Sequence, residues 1–237
     1  DFMRFYRHLQ PFKVISFDLD DTLYDNTQVI RLAEQQFIDT AKQFSQIEAL
    51  TLDNWRQWKS EIANRHPVLC EDVIAWRKMT LRHVLQYYGQ STVEIDRTLA
   101  AAMETFIEWR HKIDIPPSTF EVLNYLKACY PLSVISNGNV VARRIGLDYF
   151  EIGLRGGEHG RAKPHHALFH QTAVYFKIKP REILHVGDNL VTDVQGAMQA
   201  GCQAVWLNPT GRSINDFNEA RLLPTLEITE LTELLRL

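Results

Sequence analysis

Four short groups of carboxylate, hydroxyl, amide and ammonium side chains stand out, because each lies at the end of an apolar run or just before a helical stretch. Carboxylate oxygens are the ligands that Mg²⁺ prefers, and a lysine ammonium is a compact charge that neutralises an anion. This combination suits a phosphate monoester, since attack on that anion depends mostly on charge neutralisation and positioning. The four groups are Asp18-Leu19-Asp20-Asp21-Thr22-Leu23, Ser136-Asn137-Gly138, Lys163-Pro164, and Gly187-Asp188 with the later Asp193.

The apolar runs before these groups predict the strands of a sheet. They are short and separated by helical stretches, which is typical of a parallel sheet with helices on both faces. Ligands bind beyond the carboxyl ends of the strands in such sheets, so we expect the four groups to meet at one edge. The predicted strands are 13–18, 132–137, 183–188 and 203–208, with weaker candidates at 150–154 and 226–228.

The segment between the first two predicted strands has a different pattern. From about Val29 to Trp109, apolar residues recur at three- and four-residue steps, which indicates helices. We therefore predict an α/β fold, a Rossmann-like parallel sheet with helices on both faces, plus an inserted helical-bundle cap domain. The predicted core domain comprises 1–26 and 113–237, and the predicted cap comprises 27–112.

Composition excludes several classes of partner. The 237 residues are 45% hydrophobic and 23% charged, near the averages of soluble globular proteins. The net charge is −3 and the pI is near 6.3, so the chain lacks the excess of positive charge that is typical of nucleic-acid-binding proteins, and nucleic acid is not an expected partner. No apolar run approaches the ~18 residues that span a bilayer, and the first residues lack the apolar core of a secretory signal. Three widely spaced cysteines indicate reduced thiols, and we predict a cytoplasmic protein.

The four groups, in this order along the chain, resemble the four motifs of the haloacid dehalogenase-like hydrolase superfamily. The resemblance covers essentially the whole chain, and the helical insert after the first motif resembles the type-one cap of that superfamily. It implies a phosphatase in which Asp18 attacks phosphorus and forms an aspartyl phosphate. It also implies that Asp20 protonates the leaving alcohol and later activates the hydrolytic water, a role that typically contributes ~10²–10⁴-fold.

The expected cofactor is Mg²⁺. The carboxylates of Asp18 and Asp188 are hard oxygen ligands for it, and the resemblance adds the backbone carbonyl of Asp20. The ion offsets the charge of the nucleophile and holds a phosphate oxygen. Lys163 is expected to neutralise the phosphoryl group, and Asp193 to orient the metal site without binding the ion.

The phosphate is expected to be held by the Ser136 hydroxyl and by the backbone N–H groups of Asn137 and Gly138. Three simpler interpretations stay open at this point. Ser136 could be a turn residue, Asp193 could cap the helix that follows it, and Lys163 could be an ordinary surface lysine.

Two sets of histidines have competing interpretations. His166 and His170 lie one helical turn apart and could share a zinc ion, but no third ligand accompanies them as in a zincin motif. We therefore predict surface or packing histidines. His159, in a glycine-rich stretch just before Lys163, could reach the active site, but the pattern favours a mobile loop.

The helical insert holds four of the five tryptophans, and three of those four are followed directly by arginine, including Trp76-Arg77 and Trp109-Arg110. Aromatic residues at helical spacing are usually core residues. A cap that closes over a planar ring, however, uses aromatic faces and a guanidinium. We therefore form the hypothesis that Trp76 and Arg77 bind an aromatic or heterocyclic phosphate.

Local matches extend the resemblance to the bacterial flavin-mononucleotide phosphatases, which also act on the ribitylaminopyrimidine phosphate of riboflavin synthesis. A small phosphorylated metabolite is therefore the expected partner, either flavin mononucleotide or 5-amino-6-(5-phospho-D-ribitylamino)uracil. The matching segments are 17–26, 76–77, 136–139, 159–164 and 221–224.

Three alternatives remain. A sugar-phosphate phosphatase or phosphomutase of the same superfamily keeps both aspartates of the first motif and differs mainly in the cap. A haloacid dehalogenase uses the same nucleophile without metal, but dehalogenases of this superfamily lack an acid at the position of Asp20. A non-catalytic binding module usually loses the nucleophile or a metal ligand, whereas Asp18 and Asp188 are both present.

Overall fold

The computed structural model describes residues 3–237, which divide into two units. One unit comprises residues 114–237 together with the N-terminal segment that ends at Asp25; we call it the α/β unit. The other comprises Asn26–Ile113 and is the helical unit. No helix within residues 3–237 combines the length and the apolar composition needed to cross a membrane.

The α/β unit is built on a seven-stranded sheet with the order β1-β7-β6-β5-β2-β3-β4. All neighbouring strands pair in parallel except β1 and β7, which are antiparallel. The four strong apolar runs all form buried parallel strands, as predicted. The strands are β1 Met3–Phe5, β2 Val14–Phe17, β3 Leu132–Ser136, β4 Ile152–Arg155, β5 Ile183–Gly187, β6 Gln203–Leu207 and β7 Leu226–Ile228.

Strand β1 departs from the prediction of a purely parallel sheet. It is three residues long and mostly exposed, so it lacks the apolar run that identifies a buried strand. Its residues pair with β7 from Met3↔Ile228 to Phe5↔Leu226. The sheet is therefore mixed, as is common when one edge strand returns antiparallel to a doubly wound sheet.

Strand register decides where the site lies. On one side of β2, Phe17 pairs with Val134 of β3, and on the other side it pairs with Val186 of β5. These three strands run in the same direction, so their carboxyl ends open onto one edge. That edge receives the residues just after Phe17, Ser136 and Gly187.

Helices flank the sheet and cover its apolar residues. The ring of Phe169 and the side chain of Leu168 pack in a fully buried cluster with Ile135 and Ile183 from the strands. A π-helical turn, Leu190–Gln195, leads directly into the short last helix. The helices of this unit are α5 Pro117–Lys127, α6 Ala167–Phe176 and α7 Gly196–Gln199.

The helical unit is a bundle whose helices begin at conventional caps. The side chains of Thr51, Asp72 and Ser91 each accept a backbone N–H in the first turn of α2, α3 and α4. Its core is fully buried and includes Phe37 and Trp55, whose rings lie 4.9 Å apart. The helices are α1 Thr27–Ser45, α2 Leu52–Arg65, α3 Val73–Tyr87 and α4 Thr92–Arg110.

Candidate active site

Asp18 lies directly beyond the end of β2. Its N–H donates to the carbonyl of Val186 at 3.0 Å, so its backbone continues the sheet pairing before the chain turns away. The turn is tight, because the N–H groups of Thr22 and Leu23 both donate to the Leu19 carbonyl and Asp21 has a φ of 62°. The carboxylate of Asp18 is therefore held at the strand end, at the edge that the sheet topology predicts.

Asp20 has a partner that the sequence did not reveal. The hydroxyl of Tyr24 donates to Asp20 Oδ1 at 2.5 Å, and the Tyr24 side chain is buried. This bond fixes the orientation of the carboxyl group. Tyr24 lies four residues after Asp20. Its residue type alone did not distinguish it from a tyrosine that only packs in the core.

Lys163 is buried, with a side chain only 1% exposed, which excludes the surface-lysine interpretation. Its Nζ donates to Asp18 Oδ1 at 3.2 Å, to Asp193 Oδ1 at 2.6 Å and to the Ile135 carbonyl at 2.7 Å. Burial by itself lowers the pKa of Lys163, but the carboxylates of Asp18 and Asp193 outweigh it and raise that pKa. The ammonium is therefore charged and fully engaged.

The side chain of Asn137 positions the lysine. Its Nδ2 donates to the Lys163 carbonyl at 2.8 Å, and its Oδ1 accepts from the Lys163 N–H at 2.9 Å. A Cβ at Gly156 would lie 2.8 Å from that Oδ1 and 2.7 Å from Ala162 Cβ, so only glycine leaves room for the pair. The prediction for Asn137 concerned its backbone N–H, and this amide bridge was missed.

Ser136 ends β3 and is buried. Its Oγ accepts from the Gly138 N–H at 3.0 Å, which leaves the hydroxyl proton to be donated to an anion. The Gly138 N–H is thereby engaged within the loop, whereas we had expected it to face the phosphate. This hydrogen bond agrees with the turn interpretation of Ser136, and the phosphate-binding role of its hydroxyl stays a prediction.

Asp193 accepts hydrogen bonds on both oxygens. Oδ1 accepts from Lys163 Nζ and lies 2.8 Å from His185 Nε2, and Oδ2 accepts from the Asn189 N–H at 3.1 Å. The helix cap is Asn189, whose Oδ1 accepts two N–H groups in the first turn, so the capping interpretation of Asp193 is wrong. Burial raises the pKa of Asp193, but Lys163 and then His185 outweigh it and hold that pKa well below its usual range. Asp193 is an ionised anchor for the lysine.

A buried chain of polar groups supports Asp193 from within the sheet. Ser16 on β2 and His185 on β5 are paired residues, and Ser16 Oγ lies 2.7 Å from His185 Nδ1. Burial lowers the pKa of His185, so the ring is neutral, with Nε2 donating to the carboxylate. A Cβ at Gly187 would lie 2.2 Å from Asp193 Cγ, so this position requires glycine. The predictions missed Ser16 and His185; polar residues within otherwise apolar strands were the available signal.

Asp188 lies just beyond β5 and faces the same edge. Its Oδ1 accepts from the Thr22 hydroxyl at 3.0 Å, and its carbonyl accepts from the Trp206 indole N–H at 3.0 Å. Burial, together with the charge of Asp193, raises the pKa of Asp188 to about 6. Burial and the same charge also raise the pKa of Asp18. Asp18 and Asp188 are therefore neighbouring carboxyl groups whose ionised forms are both disfavoured by burial and by the charge of Asp193.

The acidic cluster fits a divalent cation. Carboxylate oxygens of Asp18, Asp188 and Asp193 all lie within 4.8 Å of one another. Both oxygens of Asp193 already accept protein hydrogen bonds, so Asp18 and Asp188 are the side chains suited to bind the ion. Hard oxygen ligands of this kind select Mg²⁺ over softer ions. A backbone ligand from Asp20 stays a prediction.

Mg²⁺ binding is expected to weaken as the pH falls through about 6, since a proton on Asp188 competes with the ion. Because the pKa of Asp188 is higher in the folded protein than in the unfolded chain, protonated Asp188 contributes to the stability of the ion-free protein. This contribution is fully present at pH values below the pKa of Asp188 in the unfolded chain, and it is lost as the pH rises through about 6. Mg²⁺ should therefore raise the melting temperature strongly at about pH 7.5 and weakly at about pH 5. Calorimetric titration and thermal melts measure both effects; equal affinity at the two pH values contradicts this assignment.

Trp76 and Arg77 lie on α3 of the helical unit, where the structure gives them packing partners. The Arg77 guanidinium is paired with Glu34, stacks 3.7 Å from the Phe106 ring centroid, and belongs to a residue that is 4% exposed. The Trp76 indole N–H donates to the Lys59 carbonyl, and Lys59 Nζ lies 4.1 Å from the ring. Arg77 therefore lacks the accessible guanidinium face that the ring-binding hypothesis requires.

His159 is held within its own loop. Its Nδ1 accepts from the Arg155 N–H at 2.8 Å, and its N–H donates to the Arg155 carbonyl at 3.0 Å. Its carbonyl accepts from Gln171 on α6 at 2.8 Å. Hydrogen bonds within the loop and to α6 therefore hold the backbone and the ring of His159, and the mobility of the loop stays a prediction.

Comparison with known proteins gives relatives over nearly the whole chain. The 5-amino-6-(5-phospho-D-ribitylamino)uracil phosphatase YigB of Escherichia coli is 37% identical over 234 residues, 98% of each chain. A glyceraldehyde 3-phosphate phosphatase of Pyrococcus furiosus is 25% identical over 96% of this chain and 93% of its own length.

The fold has equally extensive counterparts among solved structures. A structure described as a 2-haloacid dehalogenase from Pseudomonas syringae superposes with a TM-score of 0.86 at 33% identity, over 94% of this chain and 96% of that one. The model of the haloacid dehalogenase-like hydrolase family matches residues 12–201, a span that includes all four groups at the sheet edge. The chain therefore belongs to the haloacid dehalogenase-like hydrolases, as the order of those groups indicated.

Proposed function

We propose that this hydrolase is a Mg²⁺-dependent phosphatase that removes phosphate from a small metabolite through an aspartyl phosphate on Asp18. The observation that supports it most directly is the charged, buried Lys163 ammonium 3.2 Å from Asp18 Oδ1. The Lys163 ammonium is thus a fixed cation beside the Asp18 carboxylate at the carboxyl end of β2. A phosphate ester needs such charge neutralisation, whereas a neutral substrate does not.

In this proposal each side chain has one task in the first half-reaction. An oxygen of Asp18 attacks phosphorus, and the leaving alcohol departs with a proton from Asp20. Lys163 offsets negative charge on the nucleophile and on the phosphoryl group, and the Ser136 hydroxyl donates to a phosphoryl oxygen. The carboxylates of Asp18 and Asp188 would hold a Mg²⁺ ion, which would supply further positive charge at the phosphoryl group.

The second half-reaction regenerates the enzyme. Asp20, now ionised, takes a proton from a water molecule, and that water attacks phosphorus and releases Asp18 as a carboxylate. The hydrogen bond from Tyr24 to Asp20 Oδ1 holds the acid in one orientation for both steps.

We propose 5-amino-6-(5-phospho-D-ribitylamino)uracil or flavin mononucleotide as the substrate. The support is the 37% identity over 98% of both chains with the phosphatase of the first compound. A cavity of about 590 Å³ in the α/β unit adds to it, since the apolar side chains of Trp206, Phe217 and Leu231 line this cavity together with Asp188. A cavity of this size accommodates a planar heterocycle.

A screen of phosphorylated metabolites, with and without Mg²⁺, tests the proposal. We expect Mg²⁺-dependent phosphate release, with the highest kcat/KM for the ribitylaminouracil phosphate or flavin mononucleotide. The panel includes glyceraldehyde 3-phosphate, because the Pyrococcus relative acts on it, and hexose phosphates, whose isomerisation indicates a phosphomutase. Preference for a sugar phosphate retains the phosphatase chemistry and overturns the substrate assignment.

One outcome overturns the chemistry itself. The 33% identical structure is described as a 2-haloacid dehalogenase, so the panel also contains a 2-haloacid. Halide release without metal, together with no phosphate release from any ester, contradicts the phosphatase proposal. The acid at Asp20 and the Asp188 carboxyl group beside the nucleophile lead us to expect no halide release.

A further inference from the structure

Three histidine rings lie against one another where α6 begins. The ring centroids of His165 and His166 are 4.3 Å apart at an interplanar angle of 27°, and those of His166 and His170 are 4.7 Å apart at 41°. His166 and His170 are both exposed and lie one helical turn apart. The mechanism proposed for the sheet edge uses none of these three rings.

The spacing of His166 and His170 matches two imidazoles on one metal ion. With metal–nitrogen bonds of about 2.0–2.1 Å and a ligand angle between about 90° and 109°, ring centroids lie roughly 4.5–5.2 Å apart. The observed 4.7 Å falls within this range. The spacing of the two rings is therefore compatible with a shared tetrahedral or square-planar ion.

The hydrogen bonds around the rings leave a suitable donor atom on His170. Its Nε2 lies 3.0 Å from the Ala200 carbonyl, which can only accept, so Nε2 carries the proton and Nδ1 has a free lone pair. In metal sites, a histidine that binds the ion through one ring nitrogen usually donates the N–H of its other ring nitrogen to an acceptor such as a backbone carbonyl. This contact is independent of the ring spacing.

His165 has a supporting position. Its Nδ1 accepts from the Ala167 N–H at 3.1 Å, so its proton is on Nε2 and the ring is not poised to bind an ion. It stacks on His166 and thereby orients that ring. Partial desolvation, and then the neighbouring rings of His165 and His170, lower the pKa of the exposed His166 ring, which favours its neutral form.

Solvent has access to the histidine pair. An open cavity of about 630 Å³ is lined by His166, His170, Gln171 and Tyr175 with two small apolar neighbours. Within the described residues that line this cavity, none is a lysine or an arginine. Water molecules can therefore complete the coordination of an ion without a competing positive charge in the cavity wall.

We propose that His166 and His170 bind one divalent transition-metal ion, of the class of Zn²⁺, Ni²⁺ or Cu²⁺, at a site separate from the acidic Mg²⁺ cluster. Neutral imidazoles favour such borderline ions, whereas Mg²⁺ prefers oxygen ligands. The two sites share no residue. His166 lies three residues after Lys163, so an ion bound by His166 and His170 is close along the chain to the lysine of the active site.

Calorimetric titration of the full chain with Zn²⁺ or Ni²⁺ tests this proposal, on protein without a polyhistidine tag and in excess Mg²⁺ to occupy the acidic cluster. We expect one ion per chain. His166→Ala and His170→Ala should each weaken binding by roughly tenfold or more, because loss of even an outer partner of a metal-binding histidine costs about 10–100-fold. His66→Ala, at an exposed histidine at the end of α2, is the matched control and should change nothing.

A spectroscopic readout separates coordination from a structural effect. Cu²⁺ bound to the wild-type protein should show electron-spin coupling to two imidazole nitrogens, and His170→Ala should show only one. Thermal melts confirm that both variants are folded. No binding by the wild-type protein, unchanged affinity in both histidine variants, or loss of binding only in Asp188→Asn each overturns the proposal.

Discussion

Asp18→Asn is expected to abolish turnover while the protein stays folded. The amide cannot form the bond to phosphorus, and loss of a covalent nucleophile typically lowers kcat by roughly four orders of magnitude or more. Burial and the charge of Asp193 raise the pKa of Asp18, so its ionised form costs stability at neutral pH. The variant should therefore be no less stable than the wild-type protein in the absence of Mg²⁺.

Phosphate release and a thermal melt measure the two halves of this prediction. Brief exposure to a radiolabelled phosphate ester followed by acid quenching should leave label on the wild-type protein and none on the variant. Residual activity within about tenfold of wild type means that another group attacks phosphorus. Asp39→Asn, at a residue of α1 in the helical unit, is the matched control and should retain full activity.

Lys163→Met has the second largest expected effect, and it acts on both activity and stability. It removes the cation shared by Asp18 and Asp193 and leaves two buried carboxylates without compensation. Breaking a buried ion pair costs about 3–5 kcal/mol, and loss of one charge-stabilising donor costs about 10²–10³-fold in kcat. Both losses should appear together in the same variant.

The pH dependence of this loss separates the buried pair from a surface charge. The pKa of Lys163 is raised, so its contribution to stability is present below the unfolded lysine pKa and is lost only as the pH rises through the higher folded value. The pKa of Asp193 is lowered, so its contribution is lost only as the pH falls below that of an ordinary aspartate. The stability difference between wild type and variant should therefore be present at about pH 7 to about pH 9, and it should shrink as the pH falls towards about 4, where the carboxyl groups left without a cation are protonated.

Two further variants sharpen the lysine experiment, with denaturant unfolding as the stability measurement. Lys163→Arg should not rescue kcat, because three acceptors at 2.6–3.2 Å surround a compact, buried ammonium, whereas a guanidinium is larger and planar. Lys78→Met, at an exposed lysine of α3, should leave both kcat and stability unchanged. An active and stable Lys163→Met protein contradicts the role of the lysine as the fixed cation of the site.

The position of the site was predictable from local sequence. Asp18, Ser136 and Asp188 each follow a buried apolar run, and parallel strands place such residues at one edge whatever the details of packing. The spacing of polar residues after each run also carried the family resemblance. This part of the fold depends on periodicity and strand direction, which are properties of short segments.

The partners of these residues were not predictable in the same way. The hydrogen bonds from Asn137 to Lys163, from His185 to Asp193 and between Ser16 and His185 join segments whose contact exists only after the sheet has formed. Arg77 is the converse case. As an arginine beside a tryptophan, it was expected to offer its guanidinium to a ligand, whereas packing against Phe106 and the ion pair with Glu34 bury this group.

By itself, the sequence determined the α/β class, the positions of the four strong strands along the chain and the residues that follow each strand at the edge of the sheet, because these follow from hydrophobic periodicity within each segment. Only the tertiary structure decided which charges are buried together. It made Lys163 a desolvated cation between two carboxylates and made Asp193 an anchor, while Asn189 took the role of helix cap. The physical reason is that burial and pairing of a charge depend on neighbours brought from distant parts of the chain, and no local pattern encodes them.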